Sequence, residues 1–554
     1  MKILKSVSKA ISISALILVC RPVTAQDSNP IILAMRDEMK RSMTEIKYEG
    51  HDKPFYISYG ITDIKNFSVY ATLGALVQSG EFKNRGKSVR VLVGDYEFND
   101  ESLDNNLFSE PTANEIQLPI EDDYFGIRRA LWTTTDVVYK GAAEKFKKHQ
   151  STLREQGKSL NDLPHRTFAK VPVVQWIAPL APYSLDQSKW ENYCKALSAV
   201  FELYPDLESS DVIMNISYGS QYFVNSEGTV IVKPYHVAVI QCRAQIKTEK
   251  GEPVFDNIIH YASTPDQFPP LDQFKAESKG MAEKLISLQK SSALEEAYSG
   301  PVLLVGPSVA QAFASALFSF RESLVASNAI LSTTDFRPEA ATSLDSRMGK
   351  AIIDNAVTIK AKPKLKRFKD ISLLGSYDVD DEGVVPEDEL VLIENGVLKN
   401  LLNDRSLTKQ GQAANGHSAG PAVIEVSSGK NLTVNALKEA LIVSARKEGL
   451  DFAVIVRENA AFGEGMAEVW KVNLDTGNEE VLRSAQLGGL GLKNLKRIAG
   501  SAKELQAYTV QTGDGNLASF IVPEALLLDD VDITPLKLPY FEQEEIYVQS
   551  PLKR

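Results

Sequence analysis

Gly300–Glu322, GPVLLVGPSVAQAFASALFSFRE, is the stretch on which the reading of this chain turns. Val302 to Val305 is a short β-branched and leucine run, which predicts a strand. Gly306-Pro307 then turns the chain, and a proline at the first helical position opens the apolar segment that follows. Val309, Phe313, Leu317 and Phe320 recur at helical spacing and predict a helix packed into a core. Apart from serine hydroxyls, nothing in the stretch is chemically reactive.

On the N-terminal side the sequence mixes helices and strands. Asn29 and Pro30 read as the cap and first residue of a helix with Ile32, Met35, Met39, Met43 and Ile46 on its apolar face. Phe55–Ile61, Phe67–Val77 and Val89–Phe98 read as strands, the last two joined by a polar turn at Asn84-Arg85-Gly86-Lys87. Residues 99–123 read as an acidic loop, Tyr124 to about Gln150 as a long helix, 151–183 as irregular, and Gln187–Leu203 as a second helix. Val212–Tyr218, Tyr222–Asn225, Thr229–Val232 and His236–Ile246 form a meander with turns at Ser226-Glu227-Gly228 and Lys250-Gly251-Glu252. A helix over about Phe274–Ala297 leads to the Gly300 stretch.

Beyond that stretch the chain is rich in strands: Ile371–Tyr377, Glu389–Glu394, Val397–Asn403, Ala422–Val426, Phe452–Arg457, Ala467–Asn473 and Glu479–Leu487. Two helices interrupt them, Val434–Lys447 with Thr433 as its cap, and a shorter one at about Lys493–Ala502. Strands and helices do not alternate regularly, which argues against a doubly wound parallel sheet. The expectation is an α+β, two-domain protein with antiparallel sheets, its helices in the N-terminal half and a β-rich C-terminal half. Its regions would be 1–25, 26–299 (with a break near 100–123) and 300–554.

The 554 residues are too many for one core, and the 44% apolar and 24% charged content is that of a packed globular chain. A net charge of −11 without a basic stripe argues against a nucleic-acid partner. Lys2 and Lys5, the apolar run Ile11–Val19 and the small residues at Val23-Thr24-Ala25 form an export signal cleaved after Ala25. The run is too short to span a bilayer, and no later transmembrane segment is expected. The protein is thus expected in the periplasm or outside the cell. Cys20 keeps a lipid-anchored alternative open, although Val19 suits that cleavage poorly. Cys194 and Cys242 would remain in the mature chain, either paired or as two buried apolar residues.

Three constellations look like chemistry. Gly416-His417-Ser418-Ala419-Gly420 matches the serine-hydrolase elbow G-x-S-x-G, but a polar lead-in precedes it and Pro421 with a strand follows it where the elbow needs a helix. No histidine follows His417 to serve as the base, so a loop is the better reading. Asp378-Val379-Asp380-Asp381-Glu382-Gly383, with Glu389 at the twelfth position, nearly fits a calcium-binding EF-hand loop. Its strand-like flanks do not suit that motif, which needs helices. The six histidines, His51, His149, His165, His236, His260 and His417, show no local zinc-ligand spacing.

The order of segments from Asp380-Asp381-Glu382-Gly383 through Leu392–Leu398, Leu402-Asn403-Asp404-Arg405 and the Gly411–Gly420 loop resembles the TldD/PmbA (TldD/TldE) metallopeptidase family. Val469–Val472, Asp475-Thr476-Gly477, Glu479–Arg483 and Val522–Leu528 are similar to later parts of that family. Asn225-Ser226-Glu227-Gly228 and the helix with Trp132, Asp136, Tyr139 and Lys140 are similar to its N-terminal half. The resemblance implies dimers that enclose a peptide-processing cavity, with zinc held by H-E-x-x-x-H on a helix and by a late cysteine. Laid on this chain by the shared strand and glycine turn, the motif positions are Ser315, Ala316 and Phe320. No histidine lies between 261 and 416, and no cysteine follows Cys242.

The resemblance therefore implies a metal-free, TldE-like subunit with no cofactor of its own, and zinc only in a partner homologue. Its partners would be a peptide substrate and a second subunit, in a homodimer or in a heterodimer with a metal-bearing TldD-like chain. Asn415, Gly416, His417 and Ser418 are the candidate substrate-binding residues. The alternatives are an active metallopeptidase with non-standard ligands, and an envelope protein that binds peptide or glycan.

Overall fold

The structure is a computed structural model that describes residues 29–103, 117–160, 165–179, 183–248, 251–319, 322–326, 342–407, 413–458, 467–483, 485–512, 516–536 and 551–552. The export signal and Phe320 lie outside the described residues.

The N-terminal half is a large sheet with helices on one face. Its elements are α1 (Pro30–Glu45), β1 (Pro54–Thr72), β2 (Ala75–Val93), α2 (Tyr124–Glu155), β3 (Gln175–Ile177), α3 (Gln187–Ser198), β4 (Ser209–Asn225), β5 (Val230–Lys247), β6 (Pro253–Ala262) and α4 (Leu271–Lys290). Asn29 caps α1 as expected, its Oδ1 accepting the Ile31 N–H at 2.9 Å. The strand order is β2-β1-β4-β5-β3, with β6 also paired to β5. Odd-numbered β1 residues such as Ile57, Tyr59 and Ile61 pack under α1 and α2, while Phe67, Val69 and Ala71 pack under α3 and α4. The period of two then sends Gly60, Thr62, Ile64, Asn66 and Ser68 to the other face, where none of them is buried.

The hairpin corrects the sequence expectation. Phe55–Ile61 and Phe67–Val77 are not separate strands, because β1 runs 19 residues without a break. The turn falls at Leu73-Gly74, both at positive φ (44° and 73°), the conformation of a tight two-residue hairpin. Asn84–Lys87 lies within β2, where Arg85 pairs across the strands with Asp63 at 2.8 Å. Charges that suggested a solvated turn are instead neutralised across the ladder. The meander runs on in the same way, as three long strands, β4, β5 and β6.

The C-terminal half holds β7 (Tyr298–Val305), α5 (Pro307–Leu317), β8 (Val357–Ala361), β9 (Leu390–Glu394), β10 (Val397–Leu398), β11 (Val423–Ser428), α6 (Val434–Lys447), β12 (Phe452–Glu458), β13 (Glu468–Asn473), β14 (Glu479–Leu482), β15 (Ala485–Leu487), β16 (Ile498–Ala502), β17 (Leu505–Gln511), β18 (Leu517–Pro523) and β19 (Ala525–Pro535). One sheet has the order β10-β9-β8-β11-β18-β17. The other contains β16-β19-β7-β12-β13-β14, with β15 on β19. Pairing is mostly antiparallel, with parallel contacts at β11–β18 and β7–β12. The class is α+β, with a β-rich C-terminal half.

Helix α5 packs against β7 and β12 of one sheet and against β17 and β18 of the other. Helix α6, capped by Thr433 as expected, covers the opposite face of the β7 sheet through Leu437, Leu441 and Ala445. Three expectations fail here. Ile371–Tyr377 and Val397–Asn403 contain strand only at Ile371–Ser372 and Val397–Leu398. The expected helix Lys493–Ala502 is a single turn, Leu492–Leu495, followed by β16, whose pairing with β19 outweighs its helical spacing. Val522–Leu528 spans the end of one strand and the start of the next.

Candidate functional site

Two places could carry chemistry, and they differ in kind. The first is α5. Gly306 holds φ at 69°, a conformation that favours glycine, and so turns β7 sharply into the helix. Ser308 Oγ accepts the Val305 N–H at 3.0 Å and lies 2.9 Å from Val456 O, which fixes the helix start to two strands. Val309, Ala310, Ala312, Phe313, Ala314, Ala316 and Leu317 are all fully buried. Ser315 Oγ is buried without a hydrogen-bond partner among the described residues, and Ala316 offers no donor atom. Zinc needs three or four nitrogen, sulfur or carboxylate ligands, and the described motif positions supply one hydroxyl, that of Ser315, in an apolar slot, which does not fit the metal. Among the described residues, no three His, Cys, Asp or Glu side chains converge on one point.

The second place is built from two loops. The acidic stretch Asp378–Val384 and the glycine loop Asn415–Gly420, weighed separately in the sequence, bind each other. Asp380 is fully buried, and its Oδ1 accepts the N–H groups of Glu382 (3.0 Å) and Val384 (2.7 Å). Its Oδ2 accepts the Ser418 N–H at 3.2 Å. Ser418 Oγ in turn accepts the N–H groups of Asp381 and Glu382 at 3.0 and 3.2 Å. Burial pushes the Asp380 carboxyl up to about 6, against the pull of the Val384 N–H. The near-match to a calcium loop is thus a turn folded around one carboxylate.

The four candidate substrate-binding residues are held by main-chain contacts. Gly416, at φ 77°, lies so close to Pro386 that a Cβ would sit 2.7 Å from its nitrogen. Asn415 Nδ2 donates to Leu401 O at 2.7 Å, and its Oδ1 accepts the Asn403 N–H at 2.7 Å. His417 Nδ1 faces two acceptors, Asn415 O at 2.9 Å and Asn415 Oδ1 at 3.0 Å, so it carries the proton. Nε2 is left as a bare, buried lone pair with no hydrogen-bond partner among the described residues. Burial drives the imidazole down to about 4, and it is neutral at physiological pH. His417 is occupied by Asn415 and does not contact Ser418 as a base would. No helix follows Ser418, since the chain enters β11.

Beneath the clasp lies an ionic junction between the two halves. Arg405, its side chain fully buried, donates to both carboxylate oxygens of Glu227 at 2.7 and 2.8 Å and to Ala169 O at 2.7 Å. Its guanidinium stacks 4.1 Å from the centre of the Phe168 ring. Arg90 bridges Glu382 at 2.5 Å and Glu101 at 2.5 Å, and Glu382 Oε2 accepts the Arg405 N–H at 2.7 Å. Ser406–Leu407 pairs with Thr167–Phe168, a short ladder across the halves. The sequence shows Glu227 as a turn residue and both Arg405 and Glu227 within the family resemblance, but not as partners. They lie 178 positions apart, and no local pattern links them.

Comparison with known proteins follows the same lines. Residues 304–534 match the PmbA/TldA metallopeptidase C-terminal domain. A metalloprotease of Archaeoglobus fulgidus is 38% identical over 84 residues, which is 15% of this chain and only 18% of that relative's length. A protein from Thermotoga maritima described as a modulator of a DNA gyrase has the same fold, with a TM-score of 0.54 at 16% identity, covering 90% of this chain and all of that one. A Bacteroides thetaiotaomicron protein of the same description superposes with a TM-score of 0.53 at 11% identity, over 93% of this chain and all of that one. TldE of Thermococcus kodakarensis gives 0.53 at 12% identity, over 90% of this chain and all of its own.

Proposed function

We propose that the chain is a member of the TldD/PmbA family, whose C-terminal domain residues 304–534 match, and that it acts as an exported, metal-free subunit of the TldE kind, supporting proteolysis by a metal-bearing homologue. The observation that carries this reading is the state of α5: the motif positions Ser315 and Ala316 sit in an apolar slot with no ligand set. Zinc lowers the pKa of a bound water towards neutrality, and the side chains of this helix give that chemistry no foothold. Its part would be to hold extended peptide by strand addition, in which main-chain hydrogen bonds give affinity without demanding one sequence. Strand β17 packs on α5 and, among the described residues, pairs only with β18, so its other edge is a fitting place.

The test is reconstitution. The mature chain, mixed with an exported homologue that carries H-E-x-x-x-H and the late cysteine, should form a stable complex with peptidase activity exceeding that of the homologue alone. A chain that forms only homodimers and leaves that activity unchanged would sink the proposal. Stoichiometric zinc in the purified chain, lost on His417→Ala or His236→Ala, would establish an active enzyme instead.

A further inference from the structure

Helices α1 to α4 all pack on one face of the N-terminal sheet, and the opposite face has an unusual composition. Cross-strand rows pass through Tyr70, Ser68, Asn66 and Ile64 of β1, from β2 across β4 to β5, and two of them reach β6. On this face no residue of those rows is buried, and none is Asp, Glu, Lys or Arg. Solvent-facing positions are where charged residues ordinarily sit, and 24% of the chain is charged. The rows carry tyrosine rings (Tyr70, Tyr235, Tyr261), aliphatic side chains and carboxamides instead. The amides of Asn215 and Gln241, on the two central strands, have no hydrogen-bond partner among the described residues. Past Ile64 the face deepens into a cleft of about 280 Å³ over Gly60, Thr62 and Gln221. The charges that line this cleft are already placed. Asp380 is held by main-chain N–H groups, Lys233 and Asp381 pair at 2.6 Å, and Lys87 stands opposite Ile61, a residue of the helix side.

The occupant follows by exclusion and by fit. A nucleic acid or an anionic lipid surface needs clustered cations, and the rows have none. A protein partner needs more area. Strand rise and spacing make the face about 20 by 19 Å, or roughly 400 Å², half of the about 800 Å² that each partner of a stable complex buries. An uncharged sugar chain fits on both counts. Its hydroxyls donate and accept as carboxamides do, so each can be paired without leaving a bare charge. The C–H faces of its rings are apolar and suit tyrosine, which joins a flat apolar body to a polar tip. We propose that this face binds an uncharged oligosaccharide, laid over the rows with one end in the cleft. This goes beyond the subunit role and does not depend on it, since every binding group belongs to this chain.

The experiment titrates the purified chain alone with cellohexaose, maltohexaose, chitohexaose, hexagalacturonic acid and pentaalanine, followed by calorimetry. At least one of the three uncharged hexasaccharides should bind saturably. Hexagalacturonic acid, with a carboxylate on every ring, should bind about tenfold more weakly or not at all, because the face offers no counter-charge. Asn215→Ala and Gln241→Ala should each weaken binding of the preferred sugar about three- to tenfold, the effect of one lost hydrogen bond. Both should leave the thermal midpoint unchanged, since neither amide holds the protein together. Three results would overturn the proposal: no saturable binding of any uncharged hexasaccharide, equal affinity for hexagalacturonic acid or pentaalanine, or parent affinity in a chain carrying both substitutions. A dimer of the parent chain that Asn215→Lys dissociates in sedimentation would overturn it too, by giving the face to a second copy. Failure of reconstitution with a homologue leaves the sugar titration untouched, so the two ideas fail separately.

Discussion

Helix α5 and the Asp380–Ser418 clasp are both buried, by opposite means. The helix is buried because almost every side chain on it is apolar, and the two sheets close over it. In the clasp Asp380 is buried although it is a carboxylate, because main-chain N–H groups of its own loop and of the Ser418 loop bind both its oxygens. The contrast shows where this chain keeps its electrostatics. The motif helix is dry, while a buried charged network, Arg405 with Glu227, lies where the two halves meet.

The sharpest way to break the comparison is to put charge into the dry region. Ala316→Glu should destabilise the protein by about 5 kcal/mol or more. Holding a buried carboxyl neutral at pH 7 costs about 4 kcal/mol, and overpacking adds about 1–3 kcal/mol. Chemical denaturation of the variant measures this, and a variant as stable as the parent would mean that α5 is not sealed. Next in size is the junction. Arg405→Ala strands Glu227 and should cost about 3–5 kcal/mol by the same measurement. A loss below about 1 kcal/mol would make the junction an ordinary surface pairing.

The smallest effect concerns pH and sharpens the picture of the clasp. His417 has a folded-state pKa depressed to about 4 from an ordinary 6.5, so unfolding takes up a proton between those values. Its contribution therefore falls as pH drops through that window, by about 1.4 kcal/mol per unit and about 3 kcal/mol in all. Asp380, raised to about 6, works the other way, since the folded state binds the extra proton and gains stability on acidification. His417→Asn should thus lose less stability than the parent between pH 6.5 and pH 4, read from denaturation midpoints. Parallel curves for the two proteins would show that the imidazole is not held neutral.

Local physics made several elements legible in the sequence. A cap and an N1 proline at Asn29-Pro30, a cap at Thr433 and the glycine turn into α5 each leave a short-range mark, and the structure has all three. The α+β class and the apolar nature of Ser315–Leu317 needed no tertiary information either, because periodicity and residue type carry them. The polar middle of β2 was misread because a charge on a cross-strand ion pair looks the same in sequence as a charge in water. The helix expected at Lys493–Ala502 failed because pairing with β19, not local propensity, fixes β16. The clasp and the junction were beyond sequence reasoning for a different reason. Asp380 with Ser418, and Arg405 with Glu227, are partners only because the folded chain carries distant segments together and removes them from water. Residue type and spacing determined what this chain lacks at the motif helix, while long-range burial alone decided where its buried charges would be satisfied.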